Sequence, residues 1–138
     1  MIGIVIVAHG GLAREYLAAV EHVVGRQDGI LAITIQPDDD RGAKQAEICD
    51  AADSVDGGDG VVIVTDMFGG SPSNLSLRAC SPSNRRILYG ANLPMLIKLA
   101  KCRGRSVPDA VEAAMAAGRK YIDFHVGTDD VGASQKAG

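Results

Sequence analysis

Two residues of this chain, His9 and Asp66, combine reactive chemistry with a suggestive place in the sequence. His9 closes the run IVIVAH and is followed by Gly10 and Gly11. Asp66 closes GVVIVTD and leads through Met67 and Phe68 to Gly69, Gly70 and Ser71. Imidazole is the side chain whose ordinary pKa lies near neutrality, so its neutral form is at hand as a nucleophile. A carboxylate beside one ring nitrogen fixes the tautomer and leaves the lone pair of the other facing outward. Glycines allow a ligand to approach the backbone closely, and a helix beginning beyond them presents free N–H groups and a positive dipole end. A nucleophilic His9, an orienting Asp66 and an anion cradle of Gly69, Gly70 and Ser71 describe a phosphohistidine carrier. Such transfer needs mainly in-line positioning and stabilisation of charge on oxygen. The scheme calls for no cofactor and no metal. The chain carries neither GxxxxGKS/T nor GxGxxG as a nucleotide-binding pattern.

Each feature alone has an ordinary structural use. A histidine after a strand is often structural, a strand-end aspartate is often a turn or cap residue, and FGGSPSN can be a tight turn with Ser71 or Ser73 as cap. Their joint placement carries the functional reading. His22 lies off the apolar face expected for its helix (Leu12, Tyr16, Val20, Val23, Val24), and His125 depends on how its strand packs; neither is given a role.

Apolar runs alternate with helical patterns along the chain. Strands are expected at Ile2–Ala8, Ile30–Ile35, Gly60–Asp66 and Arg86–Tyr89. Helices are expected over Leu12–Val24 with Gly25 as its stop, from the acidic start of DDDRGAKQAEICDAAD, over Ser73–Ala79 and over Met95–Lys101. Ser106 and Asp109 fit a capping box for a last helix with the apolar face Val107, Ala110, Val111, Ala114 and Met115, ended by Gly118. KYIDFHV then alternates like a fifth strand. Strands without apolar/polar alternation, separated by helices, predict an α/β fold, doubly wound, with a mainly parallel sheet and helices on both faces. In the order 2-1-3-4 the crevice lies at the carboxyl ends of strands 1 and 3, which are His9 and Asp66.

The 138 residues suit one domain, and 46% hydrophobic content predicts a packed core. A formal charge of −3 argues against a nucleic-acid partner. The basic stretch Lys98, Lys101, Arg103, Arg105 reads as a solvated helix end and loop. The opening apolar run is too short to span a membrane and has no basic segment before it, so direct membrane insertion is not expected. Three widely spaced cysteines without a CxxC pair fit a reducing compartment, and the expected address is the cytoplasm.

IVIVAHGGLA, VTDMFGGSPSN and GANLPML together resemble the three signatures of the mannose-family enzyme IIA domains of the bacterial phosphotransferase system. The resemblance runs from residue 2 to about residue 126, which makes 1–126 one such domain and 127–138 a polar tail. It implies that His9 is phosphorylated on the ring nitrogen remote from the backbone, that Asp66 bonds the other nitrogen, and that Gly69, Gly70 and Ser71 lie beside the phosphoryl group. It implies phospho-HPr as donor, a IIB protein as acceptor, and a homodimer in which the final strand is exchanged as an antiparallel edge. Phe68 stands where many sugar-transport members carry Trp, in a loop expected to meet partners; Asn92 and Pro94 of the third signature are further contact candidates. With no fused IIB domain after the last strand, the acceptor is expected to be a separate protein.

Three other readings remain. The same phosphohistidine could serve a regulatory module whose docking depends on phosphorylation. A Ser71–His9–Asp66 hydrolase is disfavoured, because GGSPS lacks the second glycine of GxSxG and Pro72 follows the serine. A metal or tetrapyrrole enzyme would need a second convergent ligand that the chain does not display.

Overall fold

The structure is a computed structural model describing residues 1–129. Four strands, β1 (Gly3–His9), β2 (Ile30–Ile35), β3 (Val61–Thr65) and β4 (Arg85–Leu88), form one sheet in the order β2-β1-β3-β4. Every pairing is parallel. Five helices complete the fold: α1 (Leu12–Val24), α2 (Arg41–Val55), α3 (Ser71–Ser76), α4 (Leu93–Lys101) and α5 (Val107–Lys120).

The continuous apolar runs of β1 and β3 follow from burial on both sides. Ile4, Ile6 and Ala8 of β1, with Val62 and Val64 of β3, pack against α1, α4 and α5. Val5 and Val7, with Val61 and Ile63, pack against α2 and α3. The chain first steps outward from β1 to β2, then reverses past β1 to β3. Right-handed crossovers in opposite directions put their helices on opposite faces and open a crevice at the reversal. Each fully buried Ile or Val contributes about 1.5–3 kcal/mol of hydrophobic stabilisation.

Local chemistry sets most helix ends. Asp40 caps α2 by accepting the Ala43 N–H (3.2 Å), and Ser106 caps α5 by accepting the Asp109 N–H (3.3 Å). Asn92 caps α4 by accepting the Met95 N–H (3.0 Å) and also donates to Gly118 O (3.1 Å), tying α4 to α5.

Several expectations need correction. Gly118 does not end α5; the helix continues to Lys120. A Cβ at Gly118 would lie 3.1 Å from Met95 Cβ and 3.3 Å from Asn92 Oδ1, so the glycine serves close packing against α4. Among the described residues KYIDFHV adds no fifth strand to the sheet of its own chain; the expected pairing is with a partner's sheet. Lys120 is helical, and between residues 121 and 129 only His125 makes an isolated β-bridge. Alternation records which side chains share a side; it does not supply an edge to pair with. The buried face of α1 centres on Ala13 and Val20, with Tyr16, Leu17 and Val24 packed against the core, while Leu12 and Val23 are exposed. The short third helix begins at Ser71 rather than Ser73 and gives way to a 3₁₀ turn at Arg78–Cys80. Arg103 is buried, its Nε donating to Ile2 O at 2.7 Å, and is not part of a solvated basic stretch. Residues 130–138, most of the expected tail, lie outside the described residues.

Candidate functional site

His9 is the last residue of β1 and Asp66 the first beyond β3, so the sheet order brings them side by side at the reversal of the winding. The ladder between these strands shows how they lock. Gly3 N–H donates to Gly60 O at 3.0 Å. The same offset carried to the strand end would give His9 N–H to the Asp66 main-chain oxygen. Instead His9 N–H donates to Asp66 Oδ2 at 2.9 Å, so the carboxylate takes over the ladder position. The same Oδ2 lies 2.8 Å from His9 Nδ1.

One carboxylate oxygen thus receives two N–H groups of one residue. Burial alone would push the Asp66 carboxyl up, but the His9 main-chain N–H and then its ring more than offset this, holding the carboxyl below its usual range. An ionised Asp66 only accepts, so in the neutral ring the proton sits on Nδ1 and Nε2 keeps its lone pair. The imidazole is half exposed (50%) and the carboxylate nearly covered (12%), which leaves the ring open to a partner while its orienter stays shielded. Asp66 Oδ1 is buried without a hydrogen-bond partner.

Both flanking turns use glycine for physical reasons. Gly10 has φ +55° and Gly69 φ +86°, left-handed conformations that L side chains rarely adopt. Gly70 has ordinary backbone angles and is needed for space: a Cβ there would lie 3.1 Å from His9 Cε1 and 3.5 Å from Nε2. Gly69 N–H donates to Ser73 Oγ (3.0 Å), and Ser73 Oγ donates to Gly70 O (3.1 Å), bracing the turn. Behind Asp66, Tyr16 of α1 donates to Ala91 O (3.0 Å), and Ala91 N–H donates to Thr65 O (3.0 Å). Burial, then the Asp66 charge, push the Tyr16 phenol up, which places it within the field of the carboxylate.

His9 opens onto a cleft of about 640 Å³ shared with Ser71 and Leu75 on one side and Gln36, Asp39 and Arg41 on the other. The structure therefore gathers His9, Asp66, Gly70 and Ser71. The His9 ring bonds Asp66, and no hydrogen bond among the described residues joins it to Ser71. Phe68 projects from the same turn, 75% exposed, with its ring edge-on to Tyr89 (centroids 5.0 Å). Asn92 has its side chain committed to the α4 cap and to α5, and Pro94 lines a separate groove between α4 and α5. His22 is exposed, as its place off the buried face of α1 requires.

Sequence reasoning missed the far wall of the cleft, Gln36 to Arg41. A signal was present: in the order 2-1-3-4, the loop after strand 2 must flank the carboxyl end of strand 1.

An open parallel α/β domain with a histidine–carboxylate pair at its switch point is the class that fold and site define. Residues 3–117 match the EIIA-man family model, described as PTS system fructose IIA component. The chain belongs to this family. It is 28% identical over 124 residues to the PTS system mannose-specific EIIAB component of Escherichia coli K12, a match covering 88% of this chain and 38% of that protein. The chain thus spans under two fifths of that relative's length. Among solved structures, the PTS IIA protein associated with the fucose utilization operon of Streptococcus pneumoniae is 26% identical, with TM-score 0.73 over 83% of this chain and 88% of its own. The phosphotransferase system component EIIA of Streptococcus agalactiae shares the fold at 24% identity, with TM-score 0.79 over 88% of this chain and 95% of its own. Among the described residues, no helix is long and apolar enough to cross a membrane.

Proposed function

We propose that this IIA component is a phosphocarrier in which His9 accepts a phosphoryl group from phospho-HPr through Nε2 and passes it to a separate IIB protein. The observation that carries the reading is the 2.8 Å contact between His9 Nδ1 and Asp66 Oδ2, which supports a neutral ring with its proton on Nδ1 and Nε2 free to attack. In the forward step the Nε2–P bond forms as the P–N bond to the donor histidine breaks, and the electron pair of that bond stays with the donor. The Nδ1 proton remains on the ring, and the positive charge that develops there is held by the Asp66 carboxylate. Transfer onward reverses these roles. The narrow space at Gly70 leaves room for the phosphoryl group beside Nε2, with Ser71 Oγ as a neutral donor at the cleft wall.

The exposed ring of Phe68 on the site's own turn supports its role as a partner contact during transfer. Asn92 and Pro94, which lie off the cleft, would touch a partner only if it reached across the mouth of α4. The reading places the protein in the cytoplasm, where its donor and acceptor proteins act. Tyr121, Ile122, Phe124 and Val126 leave an apolar segment exposed beyond α5. That exposure supports a homodimer in which this segment is covered by a second copy.

The test is intact-mass measurement after incubation with phosphoenolpyruvate, enzyme I and HPr, with HPr omitted as control. One acid-labile phosphoryl group, dependent on HPr and lost in His9→Ala, is the expected result. No gain with active HPr in the same tube overturns the proposal. Adding the IIB protein then separates duties: a carrier loses its label to IIB, whereas a regulatory module keeps it and changes its affinity for another partner.

A further inference from the structure

We propose that Arg41 is the phosphoryl-binding cation of this site, closing over the group carried on His9 Nε2. The inference rests on His9 being the phosphorylated residue and adds a residue to that chemistry. The His9 side chain leaves β1 on the α2/α3 side, the side of Val5 and Val7, and opens into the cleft whose far wall is the start of α2. A phosphoryl group there adds about 1.5–2 negative charges close to ionised Asp66. The near wall answers with neutral groups only. Gly69 N–H is already spent on Ser73 Oγ, Pro72 has no N–H, and Ser71 offers a hydroxyl.

Charge must come from the far wall, where the acidic and basic groups sort themselves. Asp39 Oδ2 accepts the Gln36 N–H (2.7 Å) and faces Lys44 Nζ (3.7 Å). Lys44 is drawn away by Glu47 at 2.9 Å. Asp40 is turned into the α2 cap. Arg41 is the cation among the residues lining the cleft, and among the described residues it makes no ion pair. Its backbone is held at the first position of α2 while its side chain is exposed. A guanidinium fork matches phosphoryl oxygens two at a time, which a lysine cannot reproduce. An exposed arginine that lines the same cleft as the half-exposed His9, with no other cation among the lining residues, is suited to bind the group on arrival and release it with the partner. The same contact stabilises charge on the equatorial oxygens during transfer.

The experiment uses a partner-free donor. Phosphoramidate transfers its phosphoryl group to Nε2 as its own P–N bond breaks and ammonia leaves. Label at His9 is counted as that absent from His9→Ala, and rates are compared with those from phospho-HPr. Arg41→Ala is expected to slow labelling from both donors on the order of tenfold, less than the hundredfold or more of a buried oxyanion donor. Arg41→Lys should recover part of the rate, and the melting temperature should stay that of the wild type. Unchanged labelling of Arg41→Ala by phosphoramidate overturns the proposal. Slowing seen with phospho-HPr alone also overturns it, making Arg41 a docking contact. Wild-type protein labelled by neither donor overturns the phosphocarrier reading itself and Arg41's part with it.

Discussion

Asp66 Oδ2 anchors His9 twice, through the main-chain N–H at 2.9 Å and through Nδ1 at 2.8 Å, so its loss has two separable consequences. Asp66→Ala removes tautomer control and should slow His9 phosphorylation by about a hundredfold or more, as in other histidine–carboxylate pairs. It also leaves a strand-end N–H unpaired at a cost of about 1 kcal/mol in denaturant melts. Because the folded carboxyl is held below its usual range, its stabilising contribution is complete above the unfolded value and is lost as pH falls through the folded one. Wild-type stability should therefore drop below ~pH 4 by more than that of Asp66→Asn, which has no carboxyl to titrate there. Gly70→Ala isolates the steric requirement. Its backbone angles (φ −84°, ψ 174°) suit alanine, and the half-exposed ring can give way, so stability should nearly hold while the methyl group, 3.1 Å from His9 Cε1 and 3.5 Å from Nε2, crowds the ring and hinders the incoming phosphoryl group. A Gly70→Ala protein labelled at the wild-type rate would refute that account.

Elements are held in place by a few buried polar ties. Arg85, at the start of β4 and 7% exposed, donates to Ala79 O (2.9 Å) and reaches Asp53 (2.8 Å) and Asp56 (3.2 Å) at the end of α2. The Gly58 N–H and then, against the opposing effect of burial, Arg85 and Asn84 hold the Asp56 carboxyl below its usual range. Asp53 is largely exposed and contributes little through water, whereas Asp56 is nearly covered. Arg85→Ala should therefore cost about 2–3 kcal/mol, most of it from Asp56 and the orphaned Ala79 carbonyl, measured by urea unfolding. Asn92→Ala removes both the α4 cap and the tie to Gly118 and should cost about 1–2 kcal/mol. If that variant keeps its phosphorylation rate, Asn92 is a structural residue and the contact role is excluded.

At the scale of the molecule, the apolar segment beyond α5 is the outstanding exposure. Ile122 (77% exposed) and Phe124 (62%) are left uncovered among the described residues. Light scattering after size-exclusion chromatography should give twice the chain mass for the wild type. Phe124→Asp, which makes the segment polar without touching the core, should shift the protein toward the monomer while leaving phosphoramidate labelling of His9 intact. A wild type that stays monomeric at high concentration would refute the dimer.

Much of this was legible along the chain. Short, β-branched apolar runs such as VVIVT favour strands buried on both faces, and Asp40, Asn92 and Ser106 stand where helices need acceptors for free N–H groups. Handedness then confines the winding, which is why His9 and Asp66 could be paired across 57 positions before any coordinate was known. What only the tertiary structure decided depends on contacts between distant segments. Gly118 reads locally as a helix stop, yet Met95 and Asn92 crowd it from another helix and make it a packing residue. Arg103 reads as solvated, yet the carbonyl of Ile2, far off in the chain, takes it into the interior. KYIDFHV has the alternation of a strand but, among the described residues, adds no strand to the sheet of its own chain. Arg41 has no local pattern to mark it, and its place opposite His9 arises from strand order alone. Periodicity and capping are encoded over a few residues and can be read there; burial, space and cleft membership are set by what the fold brings near.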